Sequence, residues 1–335
     1  MKNNRQWLLA RRPEGMVSRE DFSYAETPAP EPAEGEILIQ NQWLSFDPAQ
    51  RNWMEDRESY LPPVALGAPM RAATLGRVVE SRHSEFKVGE IVQAAGGWQD
   101  YVVVAPGEGA IGLSKVPQGV PPEMMMSVLG LTSLAAYFGL LEMGQPQLGE
   151  TVVVSGAAGA TGSVAGQIAR IKGCRVVGIA GGPEKCEWLE QEAGFDVAID
   201  YKRGDVDAQI AAACPDKWDV FFDNVGGNIL EAALNHLNLR GRVVLCGAIS
   251  GYNATEPMPG PSNLRNLIPM RARMQGFIVL DYLSQTAEAL EDLLTWVNSG
   301  ELKYRVDIKE GFENIPDTLG RLFTGQNQGK QLLKI

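Results

Sequence analysis

Three glycines at three-residue spacing, Gly156, Gly159 and Gly162, follow the apolar run Thr151-Val152-Val153-Val154-Ser155 and open a stretch patterned as a helix, Gly162–Lys172. Strand, glycine turn and helix in that order is the setting in which the pyrophosphate of a dinucleotide is bound. Gly156 permits the tight turn out of the strand, Gly159 lets backbone approach the pyrophosphate, and Gly162 lets the helix pack closely on the sheet. The helix start adds N–H groups and partial positive charge for the phosphates. A packing turn with no ligand is the alternative; the alternation of strands and helices downstream favours the dinucleotide.

A site for NAD places Asp or Glu about 20 residues further on, to bond the ribose hydroxyls. Here Val176-Val177-Gly178-Ile179-Ala180-Gly181-Gly182 reaches that point with no carboxylate. Its absence removes a repulsion toward a 2′-phosphate. Lys185 offers a cation and Tyr201 a hydroxyl; Glu184 is adjacent, at a helix start from which it can point elsewhere. The spacing favours NADP over NAD. A solvated surface lysine is the plain alternative for Lys185.

The elements that must position these residues follow from periodicity. Up to about residue 120 the pattern is β-rich: Gly35–Asn41 alternates as a half-buried strand, and Leu75–Ser81, Glu85–Val92 and Tyr101–Val104 add short strands or a turn and strand. Thr27–Pro32 reads as a proline-rich connector. From about residue 122 the period changes. Met124–Met143 reads as helix. Strands are predicted at 151–155, 175–180, 197–200, 218–223, 242–246 and 277–280, separated by helical stretches. That alternation predicts a doubly wound parallel sheet. Ser284–Ser299 reads as a helix with Leu290, Leu293, Leu294 and Val297 on one face. The tail after Gly300 is expected to rejoin the first domain. The domain reading is 1–122, 123–299 and 300–335, the last returning to the first.

Composition narrows the function. A length of 335 residues favours about two domains, and the net charge of −11 argues against nucleic acid or an anionic membrane as partner. The apolar run Trp7–Ala10 before Arg11-Arg12-Pro13 is too short for a signal-peptide core, so the cytoplasm is the expected location. The cysteines, Cys174, Cys186, Cys214 and Cys246, form no Cys-x-x-Cys pair and read as small buried residues. Residues 1–173 hold no cysteine and one histidine, His83; the other histidine is His236. Catalytic zinc wants three converging ligands, so no metal is expected.

The runs Gly130-Leu131-Thr132-Ser133-Leu134-Ala135-Ala136-Tyr137-Phe138-Gly139-Leu140-Leu141 and Gly149–Ser163 resemble the zinc-independent medium-chain dehydrogenase/reductases. More narrowly they resemble the branch of prostaglandin reductase, plant alkenal double-bond reductases and bacterial curcumin reductase. Phe222-Asp223-Asn224-Val225-Gly226-Gly227, Cys246–Asn253, Gly311–Pro316, Asn327-x-Gly329-Lys330 and Asp47-Pro48-x-x-Arg51 carry the same likeness. The resemblance implies a Rossmann domain with a β-rich, GroES-like catalytic domain, and a homodimer. It implies NADPH-dependent reduction of the C=C bond of α,β-unsaturated ketones and aldehydes. Cofactor contacts carried over are Ala160, Thr161, Gly162 and Ser163 at the pyrophosphate, Lys185 and Tyr201 at the 2′-phosphate, and Asn224. Cys246, Gly247, Ala248, Ile249, Ser250, Tyr252, Phe277, Ile278, Val279 and Asn327 would follow along the nicotinamide half. One departure stands out: the family often reads Asp-Pro-Tyr-Met-Arg where this chain has Asp47-Pro48-Ala49-Gln50-Arg51, and the stretch Trp53–Tyr60 is a loop that could supply replacement contacts.

Such a reduction needs a donor aimed at the carbonyl oxygen as it gains charge. Tyr252 is the protein candidate, since a neutral tyrosine donates a hydrogen bond; packing against the cofactor is its alternative role. Arg51 could orient a polar substrate group, with a structural salt bridge as the alternative. His83 and His236 receive no catalytic role. Quinone reduction, and NADPH binding without turnover, are the competing functions. The small-molecule substrate is thus an enone, an alkenal or a quinone.

Overall fold

Seven strands come from the first part of the chain: β1 (Asn3–Leu9), β2 (Phe22–Pro28), β3 (Ile37–Ser45), β4 (Thr74–Ser81), β5 (Ile91–Ala94), β6 (Tyr101–Val104) and β7 (Ser114–Lys115). They were traced in a computed structural model that describes residues 2–107 and 112–335. β1 and β2 form an antiparallel ribbon running from Asn3↔Pro28 to Leu9↔Phe22. The sequence pattern did not announce this ribbon, and the supposed connector contributes Thr27 and Pro28 to it. Proline is tolerated there because it ends the strand. β3 is buried on both faces rather than alternating, with Ile37, Leu38, Ile39, Asn41, Leu44 and Ser45 all inside, because it runs through the middle of the sheet between β4 and β6. Buried Asn41 is held by donating to the Gln99 carbonyl at 2.8 Å. Two short helices, α1 (Ala49–Asn52) and α2 (Pro122–Met126), complete this part.

The helix expected over 124–143 is broken. After α2 the chain reaches α3 (Leu131–Phe138), capped by extended Gly130, and then widens into a π-helical turn over Gly139–Gly144. A Cβ on Gly139 would stand 2.4 Å from the Phe277 ring, so that aromatic occupies the place a side chain would need. The alternating part then runs β8 (Thr151–Ser155), α4 (Ala160–Ile171), β9 (Arg175–Ala180), α5 (Pro183–Gln191), β10 (Val197–Asp200), α6 (Val206–Ala213), β11 (Trp218–Asp223), α7 (Gly227–Ala233), β12 (Leu237–Leu245), α8 (Leu267–Met270), β13 (Arg273–Gly276) and α9 (Thr286–Ser299). The sheet order is β10-β9-β8-β11-β12-β13, with every pairing parallel. Strands buried on both faces read as unbroken apolar runs, as β8 does. Two expectations need correction. The strand placed at 277–280 lies earlier and ends at Gly276, because Phe277 turns its ring onto Gly139. On α9 the buried face is Ala289, Leu293 and Trp296, whereas Leu294 is exposed.

The chain ends with β14 (Val306–Glu310), α10 (Ile315–Thr324) and β15 (Lys330–Lys334). β15 lies antiparallel on β3, Leu332 opposite Ser45, and completes a seven-stranded sheet. Two compact units result: Met1–Met126 with Val306–Asn327 and Gln331–Ile335, and Ser127–Arg305 with Gln328–Lys330. The first has a core of Trp7, Leu9, Phe46, Trp98, Phe312 and Leu333. The second, a Rossmann sheet, is filled by Val153, Val177, Phe221, Leu234 and Val243.

Candidate functional site

From β8 the chain winds through β9 and β10 to one side of the sheet, while β11, β12 and β13 lie on the other. Loops leaving the carboxyl ends of β8 and β11 therefore part, and ligands of such sheets bind at that switch point. The two strand ends are tied across it. Ser155 Oγ donates to Asp223 Oδ1 at 2.6 Å, the Asn224 amide donates to Ser155 Oγ at 2.8 Å, and Asn224 Nδ2 donates to the Ser155 carbonyl at 2.7 Å. Asp223, fully buried, also accepts from the Val225 and Gly226 amides. Burial pushes its carboxyl up, against the pull of those donors. Asn224 is thus fixed by backbone and side chain together.

The glycine turn leaves β8 with Gly156 at φ 58°, a left-handed conformation that favours glycine. Gly159 is the N-cap of α4 and offers no side chain to cap its first turn. The leading amides of Ala160, Thr161 and Gly162 thus present a donor set suited to a pyrophosphate. At Gly162 a Cβ would lie 2.4 Å from the Gly156 carbonyl oxygen and 2.9 Å from the Ala157 Cα. The packing that needs glycine here is between helix and turn. Gly159 also bridges to Gly329, whose own Cβ would collide with the Arg305 carbonyl.

At the far end of β9, Gly181 and Gly182 make the turn into α5, with Gly182 at φ 96° and Pro183 in the first helical turn. The Tyr201 ring lies against Gly181: a Cβ there would be 2.9 Å from its Cε1. Lys185, half-buried, lies in the first turn of α5. Neighbouring Glu184 is turned away and accepts from Arg305 at 2.8 Å.

The loops after β11 and β12 are laced together. Cys246 and Gly247 donate their amides to the Asp223 carbonyl, Ile249 to that of Asn224 and Ser250 to that of Val225. Tyr252 folds back on this loop, its hydroxyl accepting from the Ala248 amide at 3.1 Å. Ile278 and Val279 follow Phe277 at the exit of β13. Burial pushes the Cys246 thiol up to about 12, which makes it a poor nucleophile.

Every expected cofactor residue belongs to the second unit except Asn327, which belongs to the first. Arg51 is also in the first unit and is only 3% exposed. Its guanidinium donates to Glu55 at 3.2 Å and to the Pro13 and Gly15 carbonyls; burial lowers its pKa. Gln50 is buried too, accepting from the Asp47 amide and donating to the Arg71 carbonyl. In the neighbouring loop Trp53 is buried and bonds the hydroxyl of exposed Tyr60 at 3.0 Å. His236 pairs with Asp207, and His83 accepts from the Glu85 amide in its own turn. Among the described residues, no three His, Cys, Asp or Glu side chains are grouped to hold a metal. Sequence reasoning missed Ser155 and Asp223 as supports of Asn224, though a polar residue ending an apolar parallel strand is a readable signal. Arg305, which disposes of Glu184, is 121 positions from it and carries no such signal.

A parallel sheet of this order, with an uncapped glycine turn at its switch point, defines a Rossmann-type dinucleotide-binding unit. A family model described as the N-terminal domain of oxidoreductase matches residues 5–123, and one described as zinc-binding dehydrogenase matches 160–297. The chain is 47% identical to a putative NADP-dependent oxidoreductase, YfmJ, of Bacillus subtilis, over 99% of this chain and 98% of that one. It is 41% identical to the NADPH-dependent curcumin reductase of Escherichia coli, over 100% and 97%. The crystal structure of CurA in complex with NADPH from Vibrio vulnificus superposes with a TM-score of 0.93 at 40% identity, covering 98% of each chain. The chain belongs to the zinc-independent medium-chain dehydrogenase/reductases, in the branch of the curcumin, prostaglandin and 2-alkenal reductases, and its cofactor is NADPH. No helix among the described residues is long and apolar enough to cross a membrane.

Proposed function

We propose that the chain reduces the C=C bond of α,β-unsaturated ketones and aldehydes. The observation that carries this reading is the end-to-end likeness to a curcumin reductase, since curcumin is itself a conjugated enone. NADPH, when bound, supplies a hydride, here delivered to the β-carbon. The chain's residues do the rest. The first-turn amides of α4, Ala160 to Gly162, hold the pyrophosphate, with Ser163, whose amide donates to the Gly159 carbonyl at 3.0 Å, beside them; Lys185 and Tyr201 hold the 2′-phosphate end. Asn224, fixed by Ser155 and Asp223, and the loop from Cys246 to Tyr252 position the nicotinamide half, with Phe277 to Val279 and Asn327 contributing. Tyr252 donates to the carbonyl oxygen as it gains charge, and the α-carbon takes its proton from the Tyr252 hydroxyl or from solvent. The Tyr252 hydroxyl already accepts from the Ala248 amide, and acceptance strengthens an O–H as a donor. The burial of Arg51 and its bonds to three partners support a framework role, holding the 13–15 loop, over contact with substrate. We further propose that the enzyme is a cytoplasmic homodimer.

The test is NADPH oxidation across alkenals, aryl enones and quinones, with products identified by mass. Saturated carbonyl products are expected. Turnover of quinones alone would replace this reading with quinone reduction, and tight NADPH binding without turnover of any of them would replace it with a silent binding protein.

A further inference from the structure

Gly181 stands 19 residues after Gly162, where a site for NAD carries its carboxylate. What fills the place of the missing side chain is more than the Tyr201 ring. A Cβ on Gly181 would lie 3.0 Å from Lys202 Cε, as close as it would lie to Tyr201 Oη. The Lys202 ammonium, one bond beyond Cε, is thereby carried to the spot where other sites put a negative charge.

The surrounding charges leave that ammonium uncommitted. Asp200, at the end of β10, accepts from the Gly182 amide at 2.8 Å and the Lys202 amide at 3.1 Å, and pairs with Arg203 at 3.4 Å. Glu184 is taken by Arg305. Both carboxylates therefore have guanidinium partners. Among the described residues, the Lys202 ammonium makes neither an ion pair nor a hydrogen bond. In a chain of net charge −11, an exposed cation beside a side-chain vacancy and a tyrosine hydroxyl is a local site for an anion.

We propose that Lys202 is a second determinant of NADP over NAD: its ammonium binds the 2′-phosphate, and Gly181 is the vacancy that admits it. The inference rests on NADPH as cofactor and is independent of the substrate.

The test is a titration of the enzyme with NADPH and NADH in the absence of any second substrate. Lys202→Ala is expected to weaken NADPH about tenfold, the loss of one hydrogen bond between charged groups, and to leave NADH within twofold. Adenosine 2′,5′-bisphosphate should lose affinity in parallel, while 5′-AMP should not. Lys202→Arg should restore most of the NADPH affinity. Unchanged NADPH affinity in Lys202→Ala overturns the proposal. So does an equal loss for NADPH and NADH, which would mark a structural role for the loop.

Discussion

Two helical glycines, Gly162 in α4 and Gly320 in α10, should respond to alanine with opposite signs. Alanine is favoured over glycine in a helix interior by about 1 kcal/mol. At Gly320 nothing lies within 4 Å of a new Cβ, so Gly320→Ala collects that gain, and Tm should rise by a few degrees. At Gly162 the Cβ meets backbone, 2.4 Å from the Gly156 oxygen and 2.9 Å from the Ala157 Cα. Backbone cannot swing aside as a flexible side chain can. Overpacking of this kind costs about 1–3 kcal/mol, which the helical gain offsets only in part, so Tm should fall. The atom that must move belongs to the glycine turn, so cofactor binding suffers as well. Losing one amide–phosphate bond is worth about 1.5–3 kcal/mol, and the NADPH Kd should rise at least tenfold. Thermal melts with and without saturating NADPH, together with a fluorescence titration, read both effects. A Gly162→Ala enzyme with wild-type Tm and wild-type NADPH affinity would refute the reasoning, because the α4 start would then have slack that the geometry denies.

Further outcomes follow from the same geometry. Lys185→Ala should raise the KM for NADPH and leave that for NADH nearly unchanged; an equal loss with both would remove Lys185 from the 2′-phosphate. Burial pushes Cys174 and Cys214 up to about 11 and Cys246 up to about 12, so iodoacetamide at pH 8 should label these thiols in the folded enzyme at least about a hundredfold more slowly than after unfolding; fast labelling, read by mass spectrometry, would contradict the packing. The raised pKa of Asp223 means that the folded state holds its proton to higher pH than the unfolded chain does. Its contribution to stability is present at low pH and is lost as pH rises from the ordinary carboxylate range through the raised value. The wild-type urea midpoint should fall relative to Asp223→Asn across that window, and parallel curves would show no such linkage.

The parallel sheet was legible because its strands are buried on both faces: 151–155, 175–180, 197–200 and 218–223 stand where the apolar runs put them. The β1–β2 ribbon was not. β2 is largely exposed, and its polar residues and terminal proline imitate a loop. Phe277 shows a second limit: its apolar neighbours read as a strand, but its ring is claimed by a glycine 138 positions earlier. At the site, the glycine turn and the missing carboxylate were readable because both act through local backbone. Where Glu184 points, and what spends the donors of Arg51, depend on partners distant in sequence, Arg305 in one case and the 13–15 loop in the other.

Arrival of the hydride at the β-carbon of an enone is what the proposed reduction requires. Deuterium carried at the transferable position of NADPH, followed into the product of a simple aryl enone by NMR, tests it most directly. The label should appear on the β-carbon of a saturated ketone. Deuterium on the carbinol carbon of an allylic alcohol would contradict the account.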